Sequence, residues 1–447
     1  RTSAISDPAT TPRSTSENSE RQTTLGMAAR FFLPLMLTAE LMMISHAIIS
    51  AFLARMDDPE TVLAAYSISF YLHAALGSPV WACQVVAVSY IRDRASFLRM
   101  VSFGAWVGTP VIVLWAFIGT TPLGDWVYGG LFGAGPEVVR AAMHCTLIFI
   151  GMIVFIVLRS AIYALFMVKQ RTILITYGSI LRLISLALLL YLLSGLAQGA
   201  EVGAAALVAC VVIETIAVYL MARPYLRALP EGDSPPPYRD LIKLSWPIMV
   251  MHLAESGVVF CLNIFLGRLL RPELALAAFG ILDSVLRVLL SPTRNLIPVV
   301  QTLVNSPRDL PAVLLFSLIV GLSFAGIMLL FLFEPVQVLV LIGIMGVPSE
   351  MADYIAPALI LGALLAITMT ISALTRGLLI NAKRTNLIAV SSVGRLLVVV
   401  LVGGGAILID AQNGAMIGIL ALIAGFAFEG LLLAGRLLKM RGSARWF

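Results

Sequence analysis

Four polar residues in one apolar stretch, Asp283, Arg287, Arg294 and Asn295, are the ones whose types and spacing could do chemistry. At ~100° per helical residue, Asp283 and Arg287 lie about 40° apart, and Arg294 returns to within about 20° of Arg287. The three therefore share one helix face. An ionisable group inside a membrane span costs ~2.5–3.5 kcal/mol on insertion scales, so a lipid-facing helix would not carry this stripe, whereas a wet cavity would. The i, i+4 spacing lets Asp283 neutralise Arg287. Arg294 has no such partner on its own helix, and Pro292 frees backbone groups beside it. A guanidinium donates two parallel hydrogen bonds to a phosphate or carboxylate. The expectation is that Arg287, Arg294 and Asn295 face an anionic substrate. The competing reading has Arg294 snorkelling to headgroups at its helix end.

Facing residues would come from the first, second and seventh apolar stretches. Gln84, His73 and Asn263 are the further substrate-contact candidates, with His46 and His252 as additional polar groups. Glu40, Glu255 and Asp283 are the carboxylates that could carry a coupling proton or sodium ion, or instead pair with an intramembrane arginine. Two ion pairs are expected from depth alone. Arg182 lies 11 residues beyond Arg171 and Glu214 nine before Arg223, about 16 and 14 Å on adjacent antiparallel helices at ~1.5 Å per residue. Arg395 and Glu429 lie at about 16 and 10 Å on the same scale. Arg182–Glu214 and Arg395–Glu429 are read as structural clamps, with a substrate role as the alternative. Gly77, Pro79 and Pro292 mark kinks, read as hinges or cavity-lining breaks, or as simple packing kinks.

The elements that must position these groups follow from composition. Of 447 residues, 60% are hydrophobic and only 12% charged, against ~45–50% and ~25% in soluble domains. That excludes a soluble enzyme and a nucleic-acid binder and gives an all-α polytopic membrane protein. Apolar runs fall at 30–54, 62–91, 100–119, 138–168, 172–195 and 201–222, then at 241–267, 274–305, 310–333, 350–381, 385–409 and 413–437. Each is long enough to cross a bilayer, which takes ~20 residues. The expected organisation is a disordered tail (1–25), a six-helix lobe (26–222), a charged, proline-bearing linker (223–240), a second six-helix lobe (241–437) and a basic tail (438–447). Placing the termini on one side puts 20 Lys and Arg there and four on the other. This makes both termini cytoplasmic, in the cell membrane. Cys83, Cys145, Cys210 and Cys261 sit far apart in apolar runs and read as packing residues, with no metal or disulfide framework.

The two sets of six align at one fixed offset, which carries Arg55 onto Arg268. The same offset carries Pro34 onto Pro247, Pro59-Glu60 onto Pro272-Glu273, Ser78-Pro79 onto Ser291-Pro292 and Arg182 onto Arg395. Over 34–86 it gives 15 identities in 53 positions. An even number of spans per half makes this a parallel repeat, whose substrate site is expected between the lobes.

RFFLPL (30–35), LAAY (63–66), Pro79, RDR (92–94), SWP (245–247), SSVGRLL (391–397), Gly414-Ala415 and AGFAFE (424–429) occur in this order along nearly the whole apolar chain. In these segments the sequence resembles the progressive ankylosis protein family. That family is similar in fold to the multidrug and toxin extrusion transporters and the lipid-linked oligosaccharide flippases. The resemblance implies a twelve-helix, two-lobed transporter, with pyrophosphate, nucleotide or citrate as the substrate class. Met43 and His46 stand where the animal pattern has acidic residues, which points to a prokaryotic relative and its inner membrane.

No GxxxxGK[ST] loop, HExxH or GxSxG pattern occurs. The sequence therefore reads as a non-enzymatic secondary transporter or exporter of polyvalent anions, monomeric and without a cofactor beyond a possible coupling ion. A proton- or sodium-coupled exporter of cationic drugs and a lipid flippase are the alternatives.

Overall fold

The computed structural model describes residues 23–440, apart from 170, 172, 194–198, 233–234, 305, 383 and 410–411. Most of the expected N-terminal tail, and residues 441–447 of the basic tail, lie outside the described residues. The chain forms α1 (Leu25–Leu53), α2 (Pro59–Tyr90), α3 (Arg94–Thr120), a π-helical turn (Asp125–Leu131), α4 (Pro136–Val168), α5 (Ile173–Leu193) and α6 (Ala200–Arg227). It continues through α7 (Tyr238–Leu266), α8 (Pro272–Leu290), a 3-10 segment (Ser291–Asn295), α9 (Leu296–Leu303) and α10 (Leu310–Leu329). A 3-10 turn (Leu330–Leu332), α11 (Glu334–Gln337), a second π-helical segment (Val338–Ile344), α12 (Ser349–Asn381), α13 (Thr385–Leu408) and α14 (Gly414–Met440) complete it.

Among the described residues, eleven helices are long and apolar enough to cross a membrane, α8 to α9 counting as one. α1 has 29 residues, or about 43 Å at the helical rise. Helix starts follow local chemistry. The Thr24 side chain caps α1 by accepting from the Met27 N–H. Asp93 and Ser96 form a reciprocal capping box on α3. Pro59, Pro136 and Pro272 open their helices, where the missing N–H costs nothing. α6 runs on through Pro224 to Arg227 and α7 begins at Tyr238, so both helices extend into the stretch expected as linker.

The structure has two ends: the proximal face, where α1 begins, and the distal face, where α1 ends. α2 and α8 run through the middle. They cross where Ser67 meets Gly280: a Cβ on Gly280 would lie 2.2 Å from the Ser67 Oγ, so only glycine fits there. On the proximal face the two halves exchange the feet of their first helices. Ala28 and Phe32 of α1 cluster with Leu296, Val299, Phe316 and Val320 of the second half. Leu241 of α7 clusters with Cys83, Val86 and Phe103 of the first. Thr23 ties α1 down further, its N–H donating to Asp309 Oδ1 at 2.9 Å and its hydroxyl to the Leu303 carbonyl at 2.9 Å. The α7 foot is tied by Ser102 and Tyr238, whose hydroxyls lie 2.7 Å apart, with Arg99 over the Tyr238 ring.

Candidate functional site

α8 brings the expected stripe to the boundary between halves. The carboxylate Oδ2 of Asp283 accepts from Arg287 Nε at 2.5 Å and from the Tyr71 hydroxyl at 2.6 Å. Asp283 is buried, while the Arg287 side chain is one-third exposed. These groups line a small cleft with His46, Ser50, Tyr66, Ser67, Phe70, Gly280 and Ser284, with room for about one water. The Ser50 and Ser284 hydroxyls bond across it at 2.8 Å. His46 stands against Phe70, 4.4 Å between ring centroids, and its buried Nδ1 has no hydrogen-bond partner.

Arg294 differs from Arg159, Arg182, Arg287, Arg376 and Arg395, the other arginines deep inside the spans. It lies in the 3-10 segment and is exposed, and among the described residues it makes no ion pair or hydrogen bond. Its place is about 10 Å inside the proximal end of its span, counting from Gln301. The charges that act on it are Glu255, Arg287, Arg376 and Asp283. The neighbouring Asn295 carries a buried side-chain amide nitrogen, Nδ2, with no partner. Two donor groups without a partner among the described residues therefore follow one another in the 3-10 segment, the guanidinium exposed and the amide nitrogen buried.

The remaining intramembrane charges form two tight clusters. In the second half, Glu429 is fully buried. Its Oε1 accepts from Arg376 Nε at 2.9 Å and Nη2 at 2.6 Å, and its Oε2 from Arg395 Nη1 at 3.1 Å. Ser372 and Ser391 add hydroxyl donors at 3.1 and 3.2 Å. Arg376 Nη1 also holds Glu255 at 2.7 Å, with Arg395 Nη2 3.8 Å from the same oxygen. In the first half, fully buried Glu214 accepts from Arg159 and from the Tyr163 hydroxyl at 2.6 Å, with Arg182 Nη1 at 3.8 Å. Arg182 keeps Nε and Nη2 without partners.

Both expected pairs are thus brought together, but neither is a simple pair. Sequence reasoning gave no role to Arg159 and Arg376, which make the shorter contacts to the two glutamates. The spans hold six arginines and five acids, so the sequence leaves at least one arginine without a carboxylate of its own, but it does not say which. Glu255 is held by two arginines, the alternative to an open coupling carboxylate that its sequence position allowed. His73 is also corrected. It does not face a cavity: it is 2% exposed, packed among Trp115, Phe149 and Phe70, and neither ring nitrogen has a partner. Asn263 is fully buried and its amide donates to the Val259 carbonyl of its own helix at 2.8 Å. Gln84 is half-buried on α2 and His252 half-buried on α7. The Glu40 side chain lies outside the described residues.

The two proline sites also part ways. α2 runs through Gly77 and Pro79 without a break, whereas Pro292 sits in the 3-10 segment. Pro79 cannot donate to the Ala75 carbonyl, and the Ser78 hydroxyl does so instead at 2.7 Å, so the freed acceptor is satisfied and the helix continues. Among the described residues no group of His, Cys, Asp and Glu could hold a metal ion.

No protein-family model and no curated protein matches the chain. Solved structures do. An inward-facing multidrug resistance MATE family transporter of the MOP superfamily aligns with a TM-score of 0.72 at 14% identity, over 94% of this chain and 100% of that one. The lipid II flippase MurJ, in an inward closed conformation, gives 0.59 at 14% identity, over 93% and 87%. A MOP superfamily transporter from Pyrococcus furiosus, described as having a binding pocket of reverse polarity, gives 0.56 at 17% identity, over 95% and 97%. The chain therefore has the all-helical, multi-pass fold found in these MOP superfamily transporters.

Proposed function

We propose that this chain is a secondary transporter of polyvalent organic or inorganic anions, with pyrophosphate-, nucleotide- or citrate-like groups as its substrate class. The single observation that carries the reading is Arg294, an exposed guanidinium with no ion pair among the described residues, beside the unpartnered amide of Asn295. An oxyanion docking there gains charge-assisted hydrogen bonds without breaking any existing ion pair. Arg287, one-third exposed and already paired to Asp283, is the second contact. Asp283 is the coupling candidate, because substrate competing for Arg287 would release its carboxylate beside the cleft.

In this reading α1 is the twelfth span, and lobes 26–222 and 241–437 rock about the α2–α8 crossing with both termini cytoplasmic. The parallel repeat is supported by features its sequence matches did not use. The offset that carries Arg55 onto Arg268 also carries Asp125 onto Val338, the first residues of the two π-helical segments. The left-handed glycines Gly133 and Gly346 keep the same spacing, as do Phe103 and Phe316 in the clusters around the exchanged feet. The resemblance to the progressive ankylosis protein family points to the same substrate class.

Proteoliposome uptake of radiolabelled pyrophosphate, ATP and citrate, with a cationic dye as comparator, tests the proposal. Arg294→Ala is expected to abolish anion uptake while expression and monodispersity stay normal. Unchanged anion uptake in that variant, or uptake of the dye alone, would overturn it.

A further inference from the structure

The distal face is sealed differently from the proximal one. On the proximal face the halves meet through apolar clusters around the exchanged feet. On the distal face an apolar layer, in which Phe132 of the first half stands edge-on to Phe260 of the second at 5.5 Å, is overlaid by contacts from two arginines to backbone carbonyls. Arg55, just beyond α1, reaches into the second half and donates from Nη2 to the carbonyls of Gly343 and Ile344, at 2.9 and 2.6 Å. Arg268, just beyond α7, reaches into the first half and donates from Nη2 to the Gly130 carbonyl at 3.3 Å. Each arginine thus ends on the π-helical segment of the opposite half. The two arginines occupy equivalent positions in the repeat, and so do their acceptors Gly130 and Gly343.

The glycines that follow those segments explain why the contact is so close. Gly133 and Gly346 have φ of +70° and +72°, the left-handed region that favours glycine. A Cβ on Gly346 would lie 2.5 Å from Arg55 Cγ, and one on Gly133 would lie 2.1 Å from the Gly267 carbonyl oxygen. Backbone from one half is pressed onto backbone and arginine of the other, with no side chain between.

We propose that Arg55 and Arg268 are the two halves of a distal gate, a reversible latch that closes the central cleft from that side of the membrane. The proposal rests on the reading that two lobes exchange access to a central site. Both arginines are exposed, and their cross-half partners are neutral carbonyls rather than carboxylates. Such bonds are strong enough to favour closure and weak enough to break in each cycle, unlike the buried clusters on Glu214 and Glu429. The cleft lies directly beneath: Ser50, on its wall, is five residues before Arg55, about 8 Å along the helix. Closure by two separated arginine contacts, three hydrogen bonds in all, means that loss of either contact alone does not fully open the face.

The gate is tested without any substrate. Phe70→Cys places a thiol at a half-buried position on the cleft wall, in a background where half-buried Cys261 is replaced by Ala and the other three cysteines stay buried. Labelling by a membrane-impermeant maleimide is followed in vesicles, with the reagent added to one face at a time. Arg55→Gln and Arg268→Gln are each expected to raise labelling from the distal face several-fold, and the double variant about tenfold or more. Labelling from the proximal face stays unchanged. Arg→Lys at both positions falls between, because an ammonium reproduces the charge but not the guanidinium fork. Distal labelling unchanged in the double variant, or an equal rise from both faces, overturns the gate. Loss of anion uptake plays no part in the readout, so the gate and the substrate reading fail separately.

Discussion

Arg376→Met removes the side chain on which the second cluster turns. In the native protein this guanidinium makes four hydrogen bonds: two to Glu429, one to Glu255 and one to the Ser392 hydroxyl at 3.0 Å. The Arg376 side chain is 11% exposed and that of Glu429 not at all. After substitution Glu429 keeps Arg395 and two serines, while Glu255 keeps only a 3.8 Å approach to Arg395. Removing one partner of a buried pair costs roughly 3–5 kcal/mol, because the remaining charge stays desolvated. For a unit of about 200 residues that corresponds to a fall in Tm of about 6 °C or more. The assay is thermal unfolding in detergent, read by size-exclusion fluorescence. Arg376→Lys should recover little, since one ammonium cannot reach both carboxylates with the same fork. The double variant Arg376→Met/Glu429→Gln should recover part of the loss by removing the stranded charge. A Tm within about 1 °C of the parent for Arg376→Met would refute the reasoning, as would full rescue by lysine.

In the first half, Arg159→Met should destabilise by about 3 kcal/mol and Arg182→Met by clearly less, because Arg159 is hydrogen-bonded to Glu214 whereas Arg182 stands 3.8 Å away with two unpartnered nitrogens; the same unfolding assay ranks them. Gly280→Ala should cost about 1–3 kcal/mol by forcing α2 from α8, with Ser67→Gly restoring the loss, since the new methyl overlaps only that hydroxyl. The α1 foot should be sensitive to acid. Burial would raise the Asp309 carboxyl, but hydrogen bonds from the Thr23 N–H and from Ser306 outweigh it and hold the group below the usual aspartate range. A depressed carboxyl contributes its stability above the unfolded value of about 3.9 and loses it as pH falls further. Proteolysis or hydrogen exchange at residues 23–32 should therefore stay constant down to about pH 4 and rise below it. Asp309→Asn should show the raised rate at neutral pH.

The spans were legible because hydropathy sustained over the width of a bilayer leaves little alternative. The ion-paired helices were legible because the fixed helical rise turns sequence position into depth. Depth does not give azimuth. Arg182 and Arg395 were matched to Glu214 and Glu429 by level, yet Arg159 and Arg376 reach the same carboxylates from α4 and α12, and only the packing of three helices reveals it. His73 shows the same limit: a polar residue mid-helix reads as cavity-lining until the surrounding aromatics are in place. Pro79 and Pro292 share the local sequence Ser-Pro, yet α2 continues through Pro79, where the Ser78 hydroxyl satisfies the Ala75 carbonyl that proline leaves free, while Pro292 lies in a 3-10 segment. No pattern in a single sequence ranks that bond against unwinding.

The proposed sign of the substrate rests on an accounting of charges already spoken for among the described residues. Glu214, Glu255, Asp283 and Glu429, the described acids of the interior, are each in an ion pair with arginine. A cationic substrate would have to displace a guanidinium from one of them, stranding a buried arginine at a cost of several kcal/mol. An anion meets no such obstacle at Arg294, whose donors and those of Asn295 have no partner to give up. Where most of the described intramembrane charge is locked in pairs, an unpaired group weighs most on what the interior attracts, and in the proposed reading that group is Arg294. Asp283 is the point at which this preference could be coupled to protons, because its carboxylate is held by Arg287, the only paired arginine of the interior with a third of its side chain exposed. An anion that draws Arg287 away leaves that carboxylate with the Tyr71 hydroxyl alone, in a cleft where a proton restores neutrality.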